Sequence, residues 1–199
     1  MTLINTSTAT VNAQINLYGD NGTPLSLPVT FPEFGASLSS ASINVTLTPN
    51  DSIVIQTAAS TSSIAVGWAD IQATGPLSGF ETFGIGSQEG SLVLDTRLSN
   101  SLLLAYDNTN GYQTAVALAN QTATAQNVTA TVFDASGAQL SSSQISLPPM
   151  GHLSFFVPAQ FSKAANQLGI IQFQSAGGLT GVGLHFSPTG SFAPIPIIK

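Results

Sequence analysis

Near the start of the chain Val11, Ala13, Ile15 and Leu17 alternate with Asn12, Gln14 and Asn16. A period of two puts one set on each face of an extended chain, the pattern of a half-buried β-strand. Ile43, Val45 and Leu47 repeat it against Asn44, Thr46 and Thr48, Ile53 and Ile55 follow, and Ile64, Val66 and Trp68 continue the series. Further strands are predicted over residues 102–106 and 114–118, at Val128, Ala130 and Val132, at Ile145 and Leu147, over 153–157 and 170–173, and at Val182, Leu184 and Phe186. Turn-forming clusters separate them at residues 19–22, 48–51, 108–111, 134–137 and 148–151. One helical turn is predicted over 159–168, where Phe161, Ala164, Ala165 and Leu168 fall near helical spacing. Many short strands with regular turns specify an all-β sandwich or barrel. The expected core includes Ile15, Leu17, Ile53, Ile55, Val66, Trp68, Val116, Leu118, Val128, Val132, Phe155, Phe173, Leu184 and Phe186.

The chain also matches itself. Leu3-Ile4-Asn5 corresponds to Leu118-Ala119-Asn120, and residues 11–25 align without a gap on 126–140, with Tyr18 on Phe133 and Gly22 on Gly137. Leu47-Thr48-Pro49 corresponds to Leu147-Pro148-Pro149, and Gly75-Pro76-Leu77-Ser78-Gly79 to Gly177-Gly178-Leu179-Thr180-Gly181. The matches keep their order, which implies an internal duplication. The first copy carries about fifteen extra residues around 30–42, an insertion that loops tolerate. The expectation is two tandem antiparallel β-sandwich domains, immunoglobulin-like or jelly-roll-like, over residues 1–90 and 91–199, with residues 86–90 in the join. Copy two has strands at 102–106 and 114–118, whereas copy one shows nothing before Leu3. The first domain is therefore expected to lack a strand or to borrow one, with residues 91–94 as a candidate lender.

Composition narrows the function. Of 199 residues 43% are hydrophobic and only 6% charged, against roughly 25% charged in ordinary domains, so the chain folds and draws its polarity from Ser, Thr, Asn and Gln. The net charge is −6, with three basic residues, Arg97, Lys163 and Lys199. Phosphate neutralisation needs clusters of Lys and Arg, which argues against nucleic acid and against docking on anionic lipid. The chain has no cysteine, so disulfides, thiolate-bound metals and thiol chemistry are excluded. No apolar run approaches the roughly 20 residues of a membrane helix. Residues 1–19 lack the pattern of a signal peptide, and the expectation is an extracellular or cell-surface protein whose signal has been removed. Six of the twelve asparagines, Asn5, Asn21, Asn44, Asn50, Asn120 and Asn127, stand in N-x-S/T sequons, which leaves glycosylation open.

No chemistry stands out. Hydrolytic triads need a positioned base, but the only histidines are His152 and His185. Strand alternation puts His185 on the surface, opposite Val182, Leu184 and Phe186. Asp70 shares a strand face with Trp68, and Glu81 sits on the next strand. A carboxylate beside an aromatic suits sugar binding, and two carboxylates across a cleft suit glycoside hydrolysis; the plainer alternative is a rim acid beside a core tryptophan. Asp107-Asn108-Thr109-Asn110-Gly111 is rich in oxygen ligands but lacks an EF-hand register, so it reads as a polar turn. Tyr106 and Tyr112 flank that turn as a candidate exposed aromatic pair, or as tyrosines closing strand ends. Neither a cofactor nor a metal is expected. The tail, residues 192–199, is apolar and carries Pro194 and Pro196, which confine it to a sheet edge. It is either the last edge strand of copy two or a donor strand for a neighbouring copy.

Certain stretches are similar to a known repeat: Leu17-Tyr18-Gly19-Asp20-Asn21-Gly22-Thr23-Pro24-Leu25, Gly67-Trp68-Ala69, Tyr106-Asp107-Asn108-Thr109-Asn110-Gly111-Tyr112 and Gly181-Val182-Gly183-Leu184-His185-Phe186. Together they resemble an uncharacterised duplicated β-rich repeat of secreted proteins from acidobacteria and similar soil bacteria. The resemblance covers nearly the whole chain. It implies an extracellular β-sandwich module and assigns no catalytic or ligand residues. The expected function is a non-catalytic structural or adhesive surface module that contacts protein or glycan surfaces, with homo-oligomerisation by strand addition. The alternative is a carbohydrate-binding module using Trp68, Asp70, Glu81, Tyr106, Asp107 and Tyr112.

Overall fold

The computed structural model describes residues 1–57, 65–85, 88–96 and 98–199; the expected strand residue Ile64, the basic Arg97, and Gly86 and Ser87 of the join lie outside them. The fold is almost entirely antiparallel β-structure. It divides into two compact units, Met1–Phe83 with Ser91–Asp95, and Gly84–Gly90 with Thr96–Lys199. Among the described residues no helix is long and apolar enough to cross a membrane.

β1 (Thr2–Asn5), β2 (Val11–Gly19), β5 (Ser42–Leu47), β6 (Ser52–Val54), β8 (Gly67–Ala73), β9 (Leu77–Ile85) and β10 (Gln88–Val93) form two sheets, ordered β5-β2-β8 and β10-β9-β1-β6, which belong to unit 1 apart from residues 84–85 of β9 and 88–90 of β10. A third small sheet joins the hairpin of β3 (Leu27–Phe31) and β4 (Ala36–Ser40) to β7 (Gln56–Thr57). The hairpin falls where the sequence carries its extra residues, and it supplies Val29 and Phe31 to a core that also holds Leu3, Ile15, Leu17, Ile43, Leu47, Ile53 and Ile55.

In unit 2, β11 (Ser99–Asp107), β12 (Gln113–Asn120), β13 (Gln126–Asp134), β14 (Gln139–Leu147), β15 (His152–Phe156) and β17 (Phe192–Ile195) are gathered around one long strand, β16 (Leu168–Phe186). Residues 168–174 of β16 run between β13 and β11, and residues 179–186 between β12 and β17. One strand thus serves both layers. Unit 2 follows β15 with a short helix, α1 (Val157–Gln160), and a 3-10 turn over Ser162–Ala164, which bury Val157, Phe161 and Ala164. The helical segment is therefore earlier and shorter than expected: Leu168 already starts β16 and is 47% exposed.

The two units use the same pairings in the same registers. Leu3 opposes Gly79 and Ile53, as Leu118 opposes Gly181 and Leu153. Tyr18 opposes Trp68 as Phe133 opposes Ile170, and Val11 opposes Leu47 as Gln126 opposes Leu147. A Cβ added to Gly67 would lie 2.0 Å from the Tyr18 carbonyl oxygen, and one added to Gly169 2.0 Å from that of Phe133, so each strand approaches its neighbour at a point where only glycine fits.

A buried asparagine anchors each unit. The Asn5 amide donates to the carbonyls of Ala9, Leu47 and Thr48, and its Oδ1 accepts from the Ser7 N–H and hydroxyl. Asn120 donates to the carbonyls of Thr124 and Pro148 and accepts from Thr122 in the same way. Each asparagine ties the loop after its strand to the turn between two others, satisfying backbone groups that burial cuts off from water. This places two of the six sequons: Asn5 and Asn120 are buried, their amides consumed, and the hydroxyl two residues on closes an Asx turn. Asn21 and Thr23 form the same closure on the surface.

The expected core is corrected at several positions. Val66 is 43% exposed and Trp68 half-buried, because Ala69 and Ile71 are the β8 residues that pack on the core. Leu184 and Phe186 lie on the outer face of β16, where Phe186 contacts Phe156 and Phe192 at 5.2 and 5.7 Å. The inward position just before Leu184 is Gly183, whose added Cβ would meet Leu104 and Ile195. Phe155 is partly buried and packs edge-on to Phe161.

Residues 91–94 do not supply the missing strand of unit 1. They continue β10 alongside β9, with the Leu94 N–H donating to the Gly79 carbonyl. Among the described residues the outer edge of β8 carries no strand, whereas β11 covers the corresponding stretch of β16. The C-terminal tail closes its own unit: β17 pairs with β16, and Ile198 exchanges backbone hydrogen bonds with Leu103.

Candidate functional site

Burying Val11, Ala13, Ile15 and Leu17 turns Asn12, Gln14, Asn16 and Tyr18 outward. The same alternation presents Ser42, Asn44 and Thr46 from β5 and Trp68, Asp70 and Gln72 from β8. The result is an outer face of amides and hydroxyls with one carboxylate and one aromatic pair. Cross-strand bonds hold it: the Ser42 hydroxyl donates to Asn16 Oδ1 at 2.8 Å, the Thr46 hydroxyl to Asn12 Oδ1 at 2.7 Å, and within β8 Gln72 Nε2 to Asp70 Oδ2 at 3.0 Å. At one end Tyr18 and Trp68 stack with ring centroids 5.6 Å apart and planes inclined by 28°. At the other lies a shallow groove of about 510 Å³ lined by Asn12, Gln14, Asn44, Thr46, Gln72 and Thr74 among others.

Of the residues expected from sequence, Trp68 and Asp70 lie on this face. Glu81 is exposed on β9, in the other sheet of unit 1, so the two carboxylates do not share a sheet face as glycosidase chemistry would ask. Tyr106 and Tyr112 do not form an exposed pair. Tyr106 follows Leu102 and Leu104 into the core, and its hydroxyl donates to the Phe133 carbonyl at 3.0 Å. Burial, and then the Asp134 carboxylate, push its phenol above the usual range. Tyr112 is 37% exposed and stacks on His185, with centroids 4.9 Å apart and planes inclined by 10°.

His185 is thus not a free surface imidazole: it is half-buried under Tyr112, and its Nε2 is enclosed without a hydrogen-bond partner. Asp107 belongs to a self-satisfied turn. Its Oδ1 accepts from the Thr109 N–H and hydroxyl, and these bonds first, with His185 a lesser contributor, hold its carboxyl below the ordinary range. Asn108 is buried, donates to the Ala164 carbonyl and accepts from the Thr114 N–H. Oδ1 of Asp107 and Oδ1 of Asn108 are thus bonded within the fold, as in a polar turn. His152 is also buried.

Tyr18, Asn16 and Gln72 join this face although they are not among the site residues expected from sequence. The signal for Tyr18 was present, since the parity that buries Leu17 exposes residue 18. Trp68, expected both in the core and at a binding site, takes only the second place, because Ala69 and Ile71 carry the inward parity of β8. No family model, curated protein or solved structure matches the chain.

Proposed function

We propose that this chain is a non-catalytic structural and adhesive surface protein, working outside the cell through the outer faces of its sheets. The observation that carries this reading is the character of those faces. In unit 1 the β5-β2-β8 face is a fixed array of amides and hydroxyls. In unit 2, Gln144 donates to Thr129 and Thr131 bonds Ser142 across β13 and β14 in the same manner. Rigid, nearly uncharged polar surfaces suit contact with other surfaces, and side chains already held in place lose little freedom on binding. The extracellular setting is supported by the resemblance to repeats of secreted soil-bacterial proteins. The matching registers of the two units support an origin by duplication.

Retention of the labelled protein on intact bacterial cells and on isolated cell walls tests the reading. Saturable retention at physiological salt is expected, and none on either would refute it. Assembly by strand addition has its natural acceptor in the outer edge of β8, which carries no strand among the described residues. The tail is already paired, so acting as donor would require it to leave β16. Molar mass by light scattering across a concentration series separates a constant 20.3 kDa species from a growing one. The second reading, a carbohydrate-binding module, is favoured by the Tyr18–Trp68 stack.

A further inference from the structure

We infer that the outer face of β5-β2-β8 binds a neutral polysaccharide, with one pyranose ring stacked on the Tyr18–Trp68 pair and following sugars laid across Asn16, Asp70 and Gln72. This rests on the surface-binding reading above and names its ligand class and its site.

Charge selects the ligand first. The face carries one formal charge, the Asp70 carboxylate, whose Oδ2 already accepts from Gln72. No Lys or Arg stands among its residues, and the whole chain holds only three basic residues against nine acids. A uronic acid polymer, a sulfated glycan or a phosphate polymer would meet repulsion with no cation to offset it. A polycation would find a single carboxylate. What remains is an uncharged ligand.

Hydrogen-bonding capacity selects next. With Oδ1 of Asn16 engaged by Ser42 and Oδ1 of Asn12 by Thr46, the Nδ2 groups of both remain as donors. Asp70 keeps Oδ1 as an acceptor. Donors and acceptors thus alternate along a flat surface, and a sugar hydroxyl is both donor and acceptor. The rows repeat at about 4.8 Å between strands and about 6.8 Å along them, so a face three strands wide and four outward positions long offers roughly 10 by 20 Å, room for several sugar rings. The aromatic pair supplies the apolar component: a pyranose presents a face of C–H bonds, which packs on an aromatic surface while its hydroxyls bond at the edge. A protein partner suits this face less well, because protein interfaces centre on buried aromatic and aliphatic anchors, and here the only aromatics sit at one end.

Trp68 is the only tryptophan, so its emission reports the site directly. Cellohexaose, xylohexaose, laminarihexaose and chitohexaose are titrated against the intact chain, with hexagalacturonate as the charged comparison. At least one neutral hexasaccharide is expected to quench and shift the emission saturably. By calorimetry Trp68→Ala and Tyr18→Ala should each weaken that binding about tenfold or more, with Trp68→Phe intermediate and Ile170→Ala, at the matching position of unit 2, unchanged. Circular dichroism confirms that each variant is folded. Binding of hexagalacturonate alone, binding by no hexasaccharide, or binding that survives both alanine variants would overturn the inference. If glycan binding fails while retention on cells persists, the ligand class is wrong and the adhesive reading stands; if both fail, both fall.

Discussion

Tyr18 and Trp68 in unit 1 occupy the register positions that Phe133 and Ile170 hold in unit 2. The strands beneath them pair alike and the glycines beside them make the same close approach, yet the surfaces diverge. Unit 1 presents a stacked aromatic pair followed by Asp70 on a strand whose outer edge has no neighbour among the described residues. Unit 2 presents Phe133, an Ile170 that is 46% exposed, and Gln172, and β11 covers the same edge with Leu102, Leu104 and Tyr106 turned into its core. One framework thus carries two surfaces. What the units share are the devices that hold sheets together, and what they do not share are residues that face solvent. Shared buried devices and divergent outer faces are what a stability requirement common to both, with binding assigned to one, would leave.

The strongest way to break the comparison is to remove the shared anchor. Asn120→Ala leaves the Thr122 N–H and the carbonyls of Thr124 and Pro148 short of partners, at a cost of about 3 kcal/mol. Asn5→Ala should cost unit 1 a similar amount. Urea unfolding checks both, with Trp68 emission reporting unit 1 and far-ultraviolet circular dichroism the whole chain. A loss of more than 2 kcal/mol in one unit and almost none in the other would show that the two asparagines only look alike.

Removing residues 192–199 should destabilise unit 2 by about 2–3 kcal/mol, because the β17 pairing and the packing of Ile195 and Ile197 on the core go with it. The tail bonds to β16, to Leu103 and, through the Phe192 N–H, to Gln88 Oε1, all within unit 2. A truncated chain whose Trp68 transition moves as far as the rest would break the separation. Light scattering on the same protein shows whether the tail also serves assembly.

How much of this was legible depends on which residues fill the buried face. β2, β5 and β13 could be read from alternation because aliphatic residues take most inward positions and mainly polar residues the outward ones, and β12 because Val116 and Leu118 alternate with small alanines. In the second half of β16 the inward positions are Gly181 and Gly183, pressed against Leu118 and Leu104, while Val182, Leu184 and Phe186 point out. Hydrophobicity therefore indicated the wrong face, and His185 was placed on the wrong side with it. The β3–β4 hairpin was invisible as strands: β3 carries Pro28, and β4 is Ala-Ser-Leu-Ser-Ser with no buried residue. Asx turns look like glycosylation sequons or metal-binding loops in one dimension, since Asn or Asp followed two residues later by Ser or Thr serves all three. The candidate face was half legible. Trp68 and Asp70 were picked for their chemistry, whereas Tyr18 needed its strand partner to be known.

Grafting the missing ring onto unit 2 sharpens the comparison. Ile170→Trp puts an indole opposite Phe133, on a half-exposed position where the change in stability should stay within about 0.5 kcal/mol. If an aromatic pair on a polar ladder suffices, calorimetry with the hexasaccharide bound by the wild type should go from one site per chain to two. If the outer edge of β8 is also needed, the count stays at one, because β11 blocks that edge in unit 2.

The smallest effect is set by pH. The hairpin turn of unit 1 is closed by Asn21 and Thr23, and the matching turn of unit 2 by Asp134, whose Oδ1 accepts from the Ser136 hydroxyl and N–H and the Ala138 N–H. Asp107 closes a second turn in unit 2. Asn does not titrate, but the hydrogen bonds to Asp107 and Asp134 hold both carboxyls below their unfolded value of 3.8. A carboxyl depressed in the folded state stabilises it fully above the unfolded pKa and ceases to do so as pH falls through the folded one. Unit 2 should therefore lose stability below about pH 4. Both residues keep partial contact with solvent, so the loss is small and softened by it. Replacing both with asparagine keeps each turn bonded and removes the titration. The double variant should show a flatter dependence of unfolding midpoint on pH between about 4 and 2 than the wild type, and equal slopes would show that these turns play no part in acid stability.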